Sequence, residues 1–207
     1  MMENTDKSNT LHLKGYSESG LMLFLAGFII FMGIITGEIF YTLPFSTRSN
    51  YISELAAALP PNPTPVLSAN IFNWTCIISG VLIMIPAYLI LKSNKKLLLT
   101  IPLGIFGLGF LGVGLFPGDM PPYHIIFALL IFLSGGMGAI MSFKMVVGPL
   151  RYVLMCFGIA SLIFLFFGKF FVPSLGVGGQ ERWLLYPEVF WIMGLGGYLL
   201  GTTKKTV

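Results

Sequence analysis

Six stretches of this 207-residue chain approach the length of apolar sequence that a helix needs to cross a bilayer. A helix rises about 1.5 Å per residue, so about 20 residues cover a hydrocarbon core of about 30 Å. Five of the stretches are long apolar runs, at 20–42, 69–91, 97–116, 123–145 and 152–171; the sixth, at 183–201, is shorter and glycine-rich. An open sheet would leave backbone N–H and C=O groups unpaired in lipid, whereas a helix satisfies them within itself. The expected fold class is therefore all-α: a six-transmembrane-helix bundle forming one membrane domain over 20–201, with a polar tail at 1–19 and a short basic tail at 202–207.

Composition agrees with burial in lipid. With 56% hydrophobic and 10% charged residues, the chain has too little polar surface to coat a water-soluble globule. Its net charge of +4 does not point to nucleic acid, because the basic residues sit in short pieces at the ends of apolar runs. Those pieces read as orientation signals. Lys7, Lys14, Lys92, Lys95, Lys96, Lys144, Arg151, Lys204 and Lys205 fall on one side of the six spans, and only Arg48, Lys169 and Arg182 on the other. Under the positive-inside rule, nine against three places both termini in the cytoplasm of a cell-membrane protein. The first span follows a polar tail and is too long for a signal-peptide core, so it is expected to stay as an anchor. Cys76 and Cys156 lie in spans at different depths and read as packing residues, not as a disulfide.

The outer connections carry most of the remaining polarity. In the first, at 43–68, Asn50 is placed to cap a short amphipathic helix whose apolar face is Ile52, Leu55, Ala56 and Leu59 and which stops at Pro60 and Pro61. That helix would lie on the outer leaflet or roof the bundle, with Pro63 and Pro65 stiffening the return. In the second, Pro117-Gly118 suits a tight turn that presents Asp119, with His124 at the mouth of the fourth span. The third, at 171–182, contains Gly176, Gly178 and Gly179 and reads as a loop able to move or to wrap a ligand closely. Pro187 belongs in a first helical turn, which would start the sixth helix near Leu185 and keep Glu188 at its rim, away from the bilayer interior.

Glu38, Glu54, Asp119, Glu181 and Glu188 thus form an acidic outer set, with Arg48 and Arg182 as counter-ions because carboxylates near membrane depth need partners. A purely structural pairing of Glu38 with an arginine is the plainer reading, as is an ordinary interfacial belt for Tyr41, Tyr51, Tyr123, Trp183, Tyr186 and Trp191. His124 could simply cap or hydrogen-bond locally; because histidine ordinarily titrates near neutrality, it is with Asp119 also the candidate acid/base pair, and Glu38 or Glu54 would be a second carboxylate or cation ligand. Arg48 and Arg182 would hold an anionic group, with Glu54, Glu181, Glu38 and Glu188 completing the ligand-binding set.

Other chemistries find little support. Histidine occurs only at His12 and His124, which disfavours an intrinsic haem, and no metal-ligand spacing is present. Ser134 and Ser161 sit near the middles of spans without a nucleophile elbow or a histidine at matching depth. Gly104, Gly107, Gly109, Gly112 and Gly114 lie inside an apolar span and are packing residues, not a nucleotide loop. The Asn73-Trp74-Thr75 sequon is in a span, out of reach of glycosylation. Span middles nearly free of charge, and halves that do not repeat, weaken a transporter reading. Small residues four apart, at Gly33 and Gly37, Gly114 and Gly118, Ser134 and Gly138, and Gly197 and Gly201, fit close helix packing within one bundle, or docking of another membrane protein.

Taken in order, Tyr51-Ile52-Ser53-Glu54-Leu55, Phe72-Asn73, Phe116-Pro117-Gly118-Asp119 with His124, and Gly179-Gln180-Glu181-Arg182 before Tyr186-Pro187 resemble the prokaryotic membrane family called domain of unknown function 998, which has many archaeal members. The likeness runs from about Gly20 to Leu200. It implies a multi-span bundle with polar motifs at one membrane face and supplies no reaction. A fainter likeness to the six-span Frag-like proteins of eukaryotic secretory membranes, in span number and outward loops only, carries no residue across. The leading expectation is an outward-facing polar site that binds, and if chemistry occurs modifies, a lipid head group or similar amphiphile without a cofactor or metal. The alternatives are a non-enzymatic scaffold or accessory subunit docking through its glycine faces, and a small transporter.

Overall fold

In the computed structural model, residues 2–41, 43–56, 66–94 and 97–202 are described. They form α1 (Met2–Ile39), α2 (Val66–Asn94), α3 (Leu97–Leu115), α4 (Pro121–Met141), α5 (Leu150–Phe167) and α6 (Val172–Thr202), joined by short 3-10 turns, with no strand among the described residues. All six helices are long and apolar enough to cross a membrane, and the chain is a multi-pass membrane protein. Successive helices pack side by side, and α6 closes the ring against α1. We call the end that holds the 40–56 segment, the α3–α4 turn and the start of α6 the roofed end.

Polarity is arranged for lipid. Large apolar side chains such as Trp74, Ile125 and Phe166 are exposed around the bundle, while its centre holds Phe106, Phe110 and Trp191 in edge-to-face contact. Lipid offers little hydrophobic drive for helix association, so close approach matters. Gly20 of α1 meets the Gly196 backbone of α6, and Gly80 of α2 meets the backbone of Gly107 and Leu111 on α3, where a Cβ would collide. Gly33, Gly114 and Gly138 are filled in the same way by Thr75, the Asn73 and Ile77 backbone, and the Trp191 ring, whereas Gly197 and Gly201 meet nothing within 4 Å among the described residues. Cys76 is buried, Cys156 is exposed, and neither is in a disulfide.

Helix α1 runs from Met2 through the first span, and 15–39 is its apolar part. Two expectations are revised. The helix expected after Asn50 is a single 3-10 turn, Ile52–Leu55, capped at Tyr51; Leu59 and the prolines at 60–65 lie outside the described residues. The segment 171–182 is not a loop. Helix α6 begins at Val172, bends at Gly176, where φ is 75° and ψ 169°, and runs straight through Pro187. In a membrane bundle the backbone groups freed by a proline can be satisfied by neighbours, so the ring does not end the helix.

Candidate functional site

Asn50 organises the roof. Its side chain accepts from the Ser46 amide at 2.9 Å and donates to Glu54 Oε2 at 2.8 Å, while Glu54 Oε1 accepts from the Tyr51 amide at 2.9 Å. These bonds fold 46–54 into a compact turn that drives Ile52 and Leu55 into the bundle, both essentially without exposure. Asn50 therefore bridges the turn and is not the helix cap anticipated. The turn is the roof of the bundle, not a raft on the leaflet.

The start of α6 is the seat for that roof. The Gly178 amide donates to the Arg48 carbonyl at 3.0 Å, and a Cβ on Gly176 or Gly178 would strike the backbone carbonyls of Arg48, Thr47 or Asn50. The glycines that read as a ligand-wrapping loop instead admit the chain's own backbone. Arg182 locks the seat: Nη1 donates to the carbonyls of Thr47, Asn50 and Gly178 at 3.0, 3.1 and 2.9 Å, and Nη2 to Glu38 Oε1 at 2.6 Å. Glu38 stands in the last turn of α1, where the helix dipole disfavours a negative charge, so a buried guanidinium is the partner it requires. Arg48, expected as a second counter-ion, is exposed and donates to the Pro173 carbonyl at 3.1 Å.

Next to this clasp lies a small cavity of about 30 Å³ beneath the roof, lined by Ser53, His124 and Glu181 among apolar groups from α2, α3, α4 and α6. Glu181 accepts from the Ile52 amide, and Ser53 adds its own amide and hydroxyl. His124 Nδ1 faces the Phe116 carbonyl at 3.0 Å and is buried, while Asp119 is exposed. Asp119 acts on His124 only through its charge, so a hydrogen-bonded His124–Asp119 dyad is not what the geometry supplies; the carboxylate sharing a cavity with His124 is Glu181. The sequence-derived residues thus separate into a clasp of Glu38, Arg182, Asn50 and Glu54, and a cavity of His124 and Glu181. The adjacent positions of Glu181 and Arg182 on α6 join the two.

The sequence profile of a family described as "Protein of unknown function (DUF998)" matches residues 24–198. The chain belongs to this family. The match runs from α1 to α6, so roof, clasp and cavity all lie within the DUF998 region. No curated protein and no solved structure matches the chain.

Two features of this DUF998 protein escaped the sequence reading. One is a groove of about 470 Å³ on the lipid-facing side between α5 and α6, walled by Phe157, Ala160, Trp183, Pro187 and Phe190 and bounded at the roofed end by Thr47, Leu175 and Arg182. Arg182 is only 5% exposed, and its Nε–H has no hydrogen-bond partner among the described residues. The other is Glu188. Expected at the rim, it sits midway along α6, wholly buried, with Oε1 accepting from Ser161 of α5 at 2.6 Å. Ser161, at mid-span as its place in the sequence implies, thus meets a carboxyl and not a histidine.

Proposed function

We propose that this integral membrane protein holds a single membrane amphiphile laterally, with its chain in the α5–α6 groove and a hydrogen-bond-accepting head, such as a phosphate, at Arg182, Thr47 and Arg48. The observation that carries this reading is the junction of an apolar groove of about 470 Å³ with the Arg182 guanidinium and the Tyr186 side chain beside it, both in the groove's lining. That volume falls in the usual range for small-molecule sites, about 300–1,000 Å³, and an apolar wall with a few placed polar groups, here Thr47, Arg182 and Tyr186, is the usual lining of such sites. Arg48, anchored at Pro173 beside the groove mouth and otherwise open to solvent, supplies a second charge to an anionic head. The nine-to-three bias of Lys and Arg supports placing the roofed end outside a cell membrane and both termini in the cytoplasm.

Lipid mass spectrometry on the purified protein tests the reading. Ala160→Trp, which fills the groove, should abolish a specific co-purifying lipid, and Arg48→Ala should weaken its retention. Ile105→Trp, on the lipid-facing surface of α3, should leave it in place. An identical lipid profile in all four proteins would refute the site.

A further inference from the structure

Among the described residues Glu188 is a carboxyl without a counter-charge. Its relative exposure is 0%, Oε1 takes the Ser161 hydroxyl, and Oε2 lies at Gly135, where the Gly136 amide is its one backbone donor nearby and makes no well-formed hydrogen bond. A bare carboxylate in a bundle interior is costly, and such residues in membrane proteins mark ion or proton sites by default. The surroundings decide between these two. A Cβ on Gly135 would collide with the Glu188 carboxyl and with the Phe106 ring, so α3 and α4 press closely on the carboxyl, and no group of three or more His, Cys, Asp or Glu gathers around it among the described residues to hold a metal ion. What fits there is a proton.

The roofed cavity ends about one helical turn from Glu188. The small cavity with His124 and Glu181 has Ile131 and Phe132 of α4 and Leu185 of α6 among its lining. Gly135 lies one turn beyond Ile131 and Glu188 one turn beyond Leu185, so about 5 Å separates cavity level from carboxyl on both helices. At about 30 Å³ the cavity has room for one water, which needs about 10–15 Å³ of such volume.

We propose that Glu188, oriented by Ser161, is an intramembrane proton-binding site loaded through the roofed cavity. A water in the cavity takes up a proton entering from the roofed face as it passes one on to Oε2, giving the carboxylic acid with the water left neutral, and the same path returns the proton. The groups facing Glu188 from α3, α4 and α5 are Phe106, Gly135, Gly136 and Ser161, and α1 meets this part of α6 through Gly27 and Phe31. None of these is charged. On α6 itself the nearest titratable groups are Tyr186, whose ring packs on Phe31, and Glu181 with Arg182 nearer the roof.

Infrared difference spectroscopy of the protein in liposomes, stepped across about pH 4 to 9 to cover ordinary and shifted carboxyl titrations, reads this directly. A carboxylic C=O band should titrate, shift on deuteration, disappear in Glu188→Gln and move to higher frequency in Ser161→Ala, which removes one hydrogen bond and keeps the acid. Ala128→Leu, which fills the cavity, should slow the deuterium shift severalfold. Carboxylate bands alone at every pH, or a band that survives Glu188→Gln or is unmoved by Ser161→Ala, would overturn the proton site. An unchanged exchange rate in Ala128→Leu would overturn the route. The outcome is independent of whether the α5–α6 groove holds a lipid.

Discussion

Arg182→Ala is expected to unlatch the roof from the bundle, and the clasp geometry sets the size of the effect. The guanidinium makes one charged bond, to Glu38 at 2.6 Å, and three bonds to carbonyls of Thr47, Asn50 and Gly178. Removing one partner of a buried ion pair costs about 3–5 kcal/mol, mostly because the other charge is left uncompensated. The Glu38 side chain is 24% exposed, so it recovers part of its hydration and the lower end, about 3 kcal/mol, is the expected loss. The uncompensated-charge argument makes a second, sharper forecast. Glu38→Gln should be destabilising alone yet rescue part of the loss in the Arg182→Ala background, by about 1 kcal/mol, a coupling within the range seen for residues in contact. Reversible unfolding in bicelles, with a full double-mutant cycle, measures both quantities. Hydrogen exchange localises the damage, since amides of 46–56 should lose protection while those of α2 and α3 keep theirs. A loss below about 1 kcal/mol for Arg182→Ala, the value of an exposed surface pair, or strictly additive costs in the cycle, would refute the clasp as a buried, mutually dependent pair.

The same seat can be tested without removing a charge: Gly176 occupies a backbone region open almost only to glycine, so Gly176→Ala should cost about 1–3 kcal/mol from strain before the collision of its Cβ with the Arg48 carbonyl is added. Its unfolding midpoint should fall while Gly197→Ala, whose Cβ meets nothing within 4 Å, leaves the midpoint unchanged. Orientation is read by cysteine labelling in a Cys76→Ala, Cys156→Ala background. Ser46→Cys on the roof should react with an impermeant maleimide in intact cells, and Val147→Cys, exposed at the opposite end, only after permeabilisation; the reverse pattern would overturn the assignment of the roofed end to the outside.

The spans were legible because the property that defines them is local: about twenty consecutive apolar residues must be helical in lipid whatever their neighbours do. Membership of the family was legible from the order of its roofed-end motifs, and Glu38 with an arginine partner was legible as a charge near membrane depth. What stayed hidden depended on a second segment. The run from Val172 to Arg182, with three glycines and a charged pair, has the composition of a loop, yet it is helical on either side of Gly176, and the roof backbone docks where Gly176 and Gly178 lack side chains. Pro187 then misled in the same direction, since a proline in a first turn and a proline tolerated inside a packed membrane helix look identical in one dimension. Both errors displaced Glu188 from the interior to the rim. A clue was present nonetheless: Glu181 and Glu188 stand seven apart, two turns along one helical face, and Ser161 was already a lone hydroxyl at mid-span. Polar residues that lack a reason to be in lipid are best matched with one another across helices before either is assigned to the surface, because the bilayer leaves them no other partner.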